Sequence, residues 1–295
     1  MANPFQRVMR LLLTGSVHVW GMVAVAEQSR PATEKKSPTD EGSQVGEKDA
    51  QAADLRLLTK TAGTYTIKLG EKREQTAELN EKPVFRWNNS IAGTKDAALF
   101  LWMAEGRPVA AATMLWRPEL GMFHEFQSLA EGPLHAERAG KRVWDVSQSG
   151  IRWEAVPGAR PPDSSAVKRL THMKELAGRF GAEVIKGPPA YPEDSIWQLR
   201  LMVTPVARYG GRGQAVRDGA VFAFCQDTDP EILLLLEERE EGKDTAWYFA
   251  FAPMTGWWAK ARLAKATVWS QPRLHPGTDP KRPYFVVGPV PRIDE

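Results

Sequence analysis

Short segments in which apolar and polar side chains alternate recur along this chain, and they limit the fold more than any other feature. In one of them, Trp197 and Leu199 fall on one face of an extended segment and Gln198 falls on the other. A period of two is typical of a half-buried β-strand. Strands are predicted at residues 65–69, 84–87, 97–103, 109–116, 122–129, 196–203, 232–236, 247–251 and 257–269. The last segment also suits a helix, although its alternation favours a strand.

One amphipathic helix is predicted between the proline pair at residues 161–162 and Gly181. Asp163 or Ser164 can cap its first turn, and Gly181 can adopt the left-handed conformation that closes a helix. The apolar stripe of this helix consists of Ala166, Leu170, Met173, Ala177 and Phe180. Such a stripe is buried against a sheet. We therefore expect a β-rich α+β fold, with curved antiparallel sheets and one main amphipathic helix packed across them.

The amino-terminal 26 residues have the layout of a secretory signal peptide. Arg7 and Arg10 precede an apolar stretch that continues to Val25, and residues 24–26 have the small-x-small spacing of a cleavage site. The stretch is shorter than the roughly 20 residues that span a bilayer as a helix. The sequence therefore predicts a bacterial protein that is secreted or periplasmic, with no transmembrane span after cleavage. An uncleaved anchor is the alternative.

Composition divides the rest of the chain into three parts. Residues 27–52 are polar and lack aromatic side chains, which predicts a disordered linker. Residues 271–295 contain six prolines, which predicts an extended tail whose middle docks as an edge strand. Residues 53–270 remain as the β-rich α+β domain, and they suffice to bury a full core.

Two segments within this domain resemble each other at an offset of 122 residues. The matched pairs are Phe100 with Phe222, Trp102 with Phe224, and Pro108 with Pro230. In both segments an apolar strand and then an aromatic strand follow. This similarity indicates a possible duplication, with related units at about residues 60–185 and 186–270. The alternative is that two unrelated antiparallel meanders look alike.

Charge and cysteine content exclude several classes of protein. Of 39 Lys and Arg residues, two lie in the predicted signal peptide, so 37 remain against 36 Asp and Glu residues. A nucleic-acid binder needs a clustered surplus of positive charge, so we expect no nucleic-acid partner. Cys225 is the only cysteine, which excludes an intrachain disulfide. It lies in an apolar stretch, so a buried, unreactive thiol is predicted.

Three motifs resemble metal-binding or phosphate-binding sequences, but each lacks a residue that the site requires. After His124, the second histidine of a zinc protease motif is replaced by Ser128. The carboxylates of residues 227–231 resemble a calcium loop, but Ile232 replaces its glycine, so a turn is predicted. Residues 209–219 are basic and rich in glycine but lack the Lys-Ser/Thr pair of a phosphate-binding loop. We therefore expect no metal and no cofactor. Residues 209–219 are predicted to form an ordinary surface loop.

The tryptophans provide the candidate binding residues. The chain has 11 Trp residues, and they are predicted mainly to fill the space between layers. The alternative is that Trp102 and Trp116, which flank a short loop, form an aromatic platform for a sugar or peptide. In that case Arg107 would hold a carboxylate of the ligand. His124 completes this tentative ligand-binding set, and the partner would be a small molecule, a glycan or an envelope protein.

Several of these segments together resemble an uncharacterised family of exported bacterial proteins. The matching pieces are PVFRWNNSIAG, LFLWMAEGRPVA, HEFQSLA, KRLTHMKELAGRF, LRLMVTPVARY and DGAVFAFCQDTDPEILLLLEE. They span most of residues 82–269. The resemblance implies export and one recurrent core, and it implies no activity and no site residue.

Two functions remain open at this point. A non-catalytic extracytoplasmic binding or envelope-interaction module is favoured, because no nucleophile or acid/base pair occurs at a useful spacing. The alternative is a glycosidase-like hydrolase, in which the fold brings Glu125 together with Asp227 or Asp229. An enzyme should show titratable groups with perturbed pKa values in one cleft, whereas a binding module should show aromatic faces and scattered hydrogen-bonding groups.

Overall fold

The fold is described from a computed structural model that covers residues 38–72, 74–90, 92–188, 193–211, 214–242, 244–274 and 276–290, with the backbone alone given for 38–48. The predicted signal peptide lies outside these residues. From Gly46 onward the chain forms one compact unit.

Antiparallel strands dominate the chain, and they fall into two series that each contain one helix. The first series is α1 (Pro38–Ala62), β1 (Tyr65–Leu69), β2 (Gln75–Leu79), β3 (Phe85–Asn89), β4 (Thr94–Ala104), β5 (Arg107–Arg117), β6 (Gly121–Ser128), β7 (Leu134–Arg138) and β8 (Lys141–Val146). The second is β9 (Glu154–Ala155), α2 (Ala166–Ala177), β10 (Phe180–Lys186), β11 (Ser195–Leu201), β12 (Ala207–Tyr209), β13 (Gly219–Gln226), β14 (Asp229–Glu241), β15 (Asp244–Pro253), β16 (Trp258–Leu263) and β17 (Ala266–Gln271). The last strand is β18 (Tyr284–Val290). The β-rich α+β class is confirmed.

The two series form two sheets with the same topology. The first sheet has the order β18-β6-β5-β4-β2-β1-β7-β8, with β3 also paired to β4. The second has the order β17-β16-β10-β11-β13-β14-β15-β9, with β12 also paired to β13. Read from opposite ends, the two orders correspond strand for strand, with a helix before β1 and before β10. The chain therefore consists of two repeats, α1 with β1–β8 and α2 with β10–β17, and β18 and β9 complete the sheets.

Unusual backbone conformations recur at equivalent turns of the two repeats. Glu105 and Asp227, which are 122 residues apart, both have a left-handed φ, of 51° and 53°, in equivalent hairpins. Ala139 and Ala264 form a second such pair, with φ of 50° and 53°. Such φ values are uncommon outside glycine, so their recurrence at equivalent turns supports the duplication.

An arginine clamp ties each helix to its sheet. In the first repeat, Arg86 donates two hydrogen bonds to Asp96, of 2.8 and 2.6 Å, and one to the carbonyl of Gln51 in α1, of 2.7 Å. In the second, Arg208 and Asp218 make the same pair, at 2.8 and 2.5 Å, and Arg208 also reaches the carbonyl of Ala166 in α2 at 2.7 Å. Charge-assisted bidentate bonds of this kind hold a fixed geometry. The clamp is a structural part of both repeats.

The predicted boundary between the repeats, near residue 185, is wrong. β10 pairs with β11 and β16, so Phe180–Lys186 belongs to the second sheet together with α2. The boundary instead falls between β8 and β9. Sequence similarity was visible only around β4, β5 and their counterparts, which lie in the middle of each repeat and do not locate its start.

Three apolar clusters divide the molecule into four layers. Leu58 and Ala62 of α1 pack on one face of the first sheet, beside Phe100. Met173 and Leu176 of α2 pack on the second sheet in the same way. The remaining faces of the two sheets pack on each other, through side chains that include Leu99, Leu101, Val221, Leu233 and Leu235. The order of layers is helix, sheet, sheet, helix.

The main helix is shorter than predicted. α2 ends at Ala177, and Gly178 rather than Gly181 follows its last residue with a right-handed φ of −64°. Phe180 is buried, but as the first residue of β10 rather than as part of the helical stripe. A strand must begin almost at once to pair with β16, and this tertiary pairing ends the helix earlier than the apolar pattern suggests.

The predicted disordered linker contains helix. α1 begins at Pro38 and ends at Ala62, so residues 38–52 are helical, and residues 27–37 lie outside the described part. Ala, Lys, Glu and Gln have high helix propensity although they bury little surface. Low hydrophobicity alone therefore does not exclude a helix. The last turns of α1 are anchored in the core by Leu58 and Ala62, and the polar residues before them continue the same helix.

The proline-rich tail contributes a strand to the fold. β18 pairs antiparallel with β6 at the edge of the first sheet, and Phe285 joins the core beneath α1. Cys225 lies in the core between the two sheets, and burial raises the pKa of its thiol to about 12. It is therefore protonated and unreactive at neutral pH.

Candidate ligand-binding cleft

The predicted aromatic platform does not exist. Trp102 is only 1% exposed and packs in the core beneath α1, and Trp116 lies against the same cluster. A stacking platform needs an open ring face, which a core position does not leave. Trp102 lies on β4, in the middle of the sheet, and its side chain faces the helix rather than solvent. Trp102 therefore fills the core and the partly buried Trp116 packs against it, as the sequence mainly predicted.

Arg107 is engaged by protein carboxylates rather than open to a ligand. Its Nε donates to Glu237 at 3.1 Å, and its Nη1 donates to Glu131 at 3.0 Å. The hydroxyl of Tyr209 donates to the same Glu237, at 3.1 Å. Glu237 lies on β14, so this network joins the two sheets. Its role is structural.

His124 is a buried histidine with one partner. It is fully buried, and its Nδ1 lies 2.5 Å from the hydroxyl of Tyr65. Burial lowers the pKa of His124 to about 3 and raises that of Tyr65 to about 12, so the tyrosine donates to a neutral imidazole. The partner of His124 is thus a protein side chain from β1. Of the predicted binding residues, Arg107 lines a pocket of about 220 Å³, together with Glu131.

An open cleft of about 760 Å³ lies elsewhere, at one end of the packed sheets. Its walls come from both repeats, because β6 and β18 of the first sheet face β15 and β17 of the second. The lining side chains that bear on its chemistry are Gln127, Trp269, Ser270, Gln271 and Tyr284. This volume suits a small molecule or a short oligomer.

Gln127, at the wall of the cleft, holds an unpaired hydrogen-bond acceptor that is closed to solvent. Its side chain is completely buried, and its Nε2 donates to the carbonyls of Ser128 and Gly150 at 2.7 and 3.2 Å. Its Oε1 has no hydrogen-bond partner among the described residues. A buried acceptor without a donor carries a desolvation cost. Because this oxygen is closed to solvent, a ligand in the cleft does not reach it unless the wall moves.

Aromatic and amide groups form the opposite wall. The indole of Trp269 leans on Phe251, with ring centroids 5.7 Å apart, and it is only partly buried. Gln271 is buried, and its amide donates to the carbonyl of Thr255 at 2.9 Å. An indole beside amides and hydroxyls is suited to a polar, uncharged ligand with an apolar face.

A cluster of carboxylates lies behind the cleft wall. The hydroxyl of Tyr284, a lining residue, donates to the carboxylate of Glu125 on β6. Burial, and then the negative charges of Asp229 and Glu231, raise the pKa of Glu125 well above its usual value. Burial and the charge of Glu231 also raise the pKa of Asp229, to about 7. Lys186 forms a salt bridge of 2.7 Å with Glu231. The fold thus brings Glu125 near Asp229.

The other proposed partner of Glu125 is elsewhere. Asp227 is exposed at the turn between β13 and β14, and its carbonyl accepts a hydrogen bond from Arg200 at 3.0 Å. This confirms the predicted turn in place of a calcium loop. Among the described residues, no group of three or more His, Cys, Asp and Glu side chains is arranged to hold a metal ion.

Sequence reasoning missed the cleft residues for a physical reason. Gln127 and Tyr284 are 157 positions apart, and only the pairing of β18 with β6 places them side by side. Trp269 was predicted to fill the core, and it does lie partly against it. A proline-rich tail with one aromatic, apolar stretch was the available indication that the tail completes a site.

Comparison with protein-family models, with curated proteins and with solved structures finds no match to this chain. In the part of the chain that the structure describes, no helix has the length and hydropathy required to cross a membrane.

Proposed function

We propose that this protein is an exported, non-catalytic binding module whose ligand is a glycan held in the cleft between the two sheets. The observation that carries the proposal is the open cleft of about 760 Å³ in which the partly exposed indole of Trp269 lies beside the hydroxyl of Ser270. A sugar supplies an apolar face for an indole ring and hydroxyl groups for polar neighbours of this kind.

The proposal is tested by calorimetric titration with chitotetraose, cellotetraose and maltotetraose. At least one of them should bind, and Trp269→Ala should weaken that binding at least about tenfold, because stacking on an aromatic ring contributes more than 1 kcal/mol. Trp258→Ala is the matched control, since Trp258 is 46% exposed and does not line the cleft. Equal losses in both variants, or no binding to the unaltered protein, would contradict a glycan site.

Export is part of the same proposal. The basic residues, apolar stretch and cleavage pattern of residues 1–26 support it. When the full chain is expressed in a bacterium, the product in the periplasm or medium should begin at Glu27 by amino-terminal sequencing. A full-length product that stays in the cytoplasm would contradict the proposal.

A second candidate function, glycoside hydrolysis, is favoured by the raised pKa values of Glu125 and Asp229 behind Tyr284. A protonated carboxyl group near neutral pH can act as a general acid. Binding is preferred because Tyr284, rather than either carboxylate, lines the cleft. If the same oligosaccharides are cleaved between pH 5 and pH 8, Glu125→Gln should abolish cleavage and Asp227→Asn should leave it unchanged. Absence of reducing-sugar release by the unaltered protein would eliminate hydrolysis of these glycans.

A further inference from the structure

A second cavity, of about 770 Å³, lies at the amino-terminal end of α2 in the second repeat. Ser164 lines it beside the helix, and Gly210 lines it from the segment that follows β12. The guanidinium groups of Arg169, Arg208 and Arg217 complete its charged wall. It shares no lining residue with the cleft described above.

The first repeat shows which of these arginines the fold requires. The clamp formed by Arg208 has its counterpart in Arg86, so Arg208 is explained by the packing of helix on sheet. Counting from the clamped carbonyls, Asp54 lies three residues after Gln51 in α1, and Arg169 lies three residues after Ala166 in α2. The charge at this helix position is thus reversed between the repeats.

The reversal leaves the second repeat with excess positive charge. In the first repeat, Asp54 forms a salt bridge of 2.7 Å with Lys95, the residue before the clamp carboxylate. The residue at the same place in the second repeat is Arg217, which pairs with the buried Glu238 at 2.7 Å. Arg169 shares both carboxylates with the other two arginines: its Nε lies 2.7 Å from Asp218 and 3.7 Å from Glu238.

Among the described residues around this cavity there are thus three guanidinium groups and two carboxylates, those of Asp218 and Glu238. The equivalent positions of the first repeat have two cations and two carboxylates, those of Asp54 and Asp96. Asp163 and Lys168, close by, form a salt bridge of 3.5 Å with each other and leave the balance unchanged. Arg169 is the most confined of the three arginines, because its side chain is only 9% exposed. A buried positive charge in excess of its partners favours an added anion.

The hydrogen bonds of these arginines leave donors for such an anion. Arg169 uses Nε and Nη1, and Arg208 uses Nε and Nη2. Arg217 also uses Nε and Nη2. Within the described residues, these bonds leave Nη2 of Arg169 and Nη1 of Arg208 and Arg217 as unused donors. Ser165, at the start of α2, makes no side-chain capping bond, and the amides of a first helical turn have no partner within their own helix.

We propose that this cavity is a binding site for a phosphate or sulfate group. Planar guanidinium groups with free terminal nitrogens match the tetrahedral oxygens of such groups and stay charged at every accessible pH. The site is absent from the first repeat, where Asp54 occupies the place of Arg169. The two repeats thus share a fold, and the second carries an additional oxyanion site.

The test is calorimetric titration of the full chain with inorganic phosphate at low ionic strength, where charge interactions are least screened. The unaltered protein should give saturable binding, and Arg217→Gln should weaken it at least about tenfold, the effect of losing a charge-assisted hydrogen bond. Lys95→Gln is the matched control, because it removes a cation at the equivalent position of the first repeat and should leave binding unchanged. Equal effects of the two variants, or no saturable binding, would overturn the proposal.

Ser164→Glu guards against loss of folding in Arg217→Gln. A carboxylate before α2 stabilises the start of the helix, yet it should weaken phosphate binding at least tenfold by repulsion. Binding that survives this change would also overturn the proposal.

Two further titrations distinguish the sources of the group. Glycerol 3-phosphate represents a soluble ligand, and vesicles of phosphatidylcholine with phosphatidylglycerol represent a lipid headgroup. The probe whose binding Arg217→Gln weakens, and Lys95→Gln does not, identifies the source. If inorganic phosphate shows this difference and neither probe does, the site binds the free anion.

Discussion

Burial moves the pKa values of single side chains in opposite directions within the same sheet. His124 faces the helix side of β6, where the pKa of its imidazole falls to about 3. Its neighbour Glu125 faces the other side, where burial and two nearby carboxylates raise the pKa of its carboxyl group. Both shifts favour the neutral form, because a charge loses its hydration in either place.

Asp229 should make the protein less stable as the pH rises. Its pKa is about 7 in the folded state and 3.8 is the ordinary value, so the folded state holds the proton more tightly and loses this advantage between about pH 4 and pH 7. Asp229→Asn removes the titration. We expect it to raise the free energy of unfolding by about 1–3 kcal/mol at pH 8 and by less at pH 4, in urea titrations.

Asp227→Asn is the control for this prediction, because Asp227 lies exposed at the adjoining turn. It should change stability by a similar small amount at both pH values. A gain for Asp229→Asn that is the same at pH 4 and pH 8 would show that the carboxyl group is not protonated in the folded protein.

Sequence alone places residues on strand faces but does not say which face meets which layer. On the predicted strand 122–129, neighbours such as His124 and Glu125 lie on opposite faces, and the turn at Asp227 followed from its residue types. Whether Trp102 faced solvent or α1 depended on a helix that was not predicted. The contact of Glu125 with Tyr284 joins two residues that are 159 positions apart in the sequence. Binding residues that meet only in the fold were therefore beyond reach.

β18 is the element whose importance the sequence least suggests. Phe285 is buried beneath α1 and stacks on Phe126, with ring centroids 6.3 Å apart. Phe285→Ala should lower the free energy of unfolding by about 3 kcal/mol, the usual cost of truncating a buried phenylalanine. Val286→Ala, on the other face of the same strand, should cost about 1 kcal/mol or less because Val286 is only partly buried.

Urea unfolding monitored by circular dichroism measures both variants. If Phe285→Ala costs no more than Val286→Ala, β18 is a loosely attached tail. In that case the wall of the cleft at Tyr284 would not be rigid either.

Strong periodicity explains which elements the sequence predicted. Strands with long apolar or aromatic alternation, such as β4, β11 and β15, were found, and the ambiguous segment 257–269 proved to contain β16. β2 and β9 have few apolar residues and exist because neighbouring strands pair with them. The start of α1 escaped because a polar helix resembles a disordered segment in composition.

At the scale of the whole molecule, a shared core lies between the two repeats. Each repeat covers one sheet face with its own helix, and the other face is buried only by the partner sheet. Side chains such as Leu99 in the first repeat and Leu235 in the second pack in that shared layer. Neither sheet can be covered on both faces without the other, so the two repeats should unfold together.

Cooperativity between the repeats can be tested from one end of the molecule. Leu58→Ala removes a fully buried side chain between α1 and the first sheet, far in sequence from the second repeat. It should cost about 2–5 kcal/mol. If the molecule unfolds as one unit, the amides of β14 and of β4 should exchange faster by the same factor in native-state hydrogen exchange. That factor corresponds to the full decrease in the free energy of unfolding.

Leu120→Ala, at a position 56% exposed, should leave exchange in both strands nearly unchanged. Faster exchange in β4 with unchanged exchange in β14 would mean that the repeats unfold separately, and that the layer between the sheets is a docking contact rather than a common core.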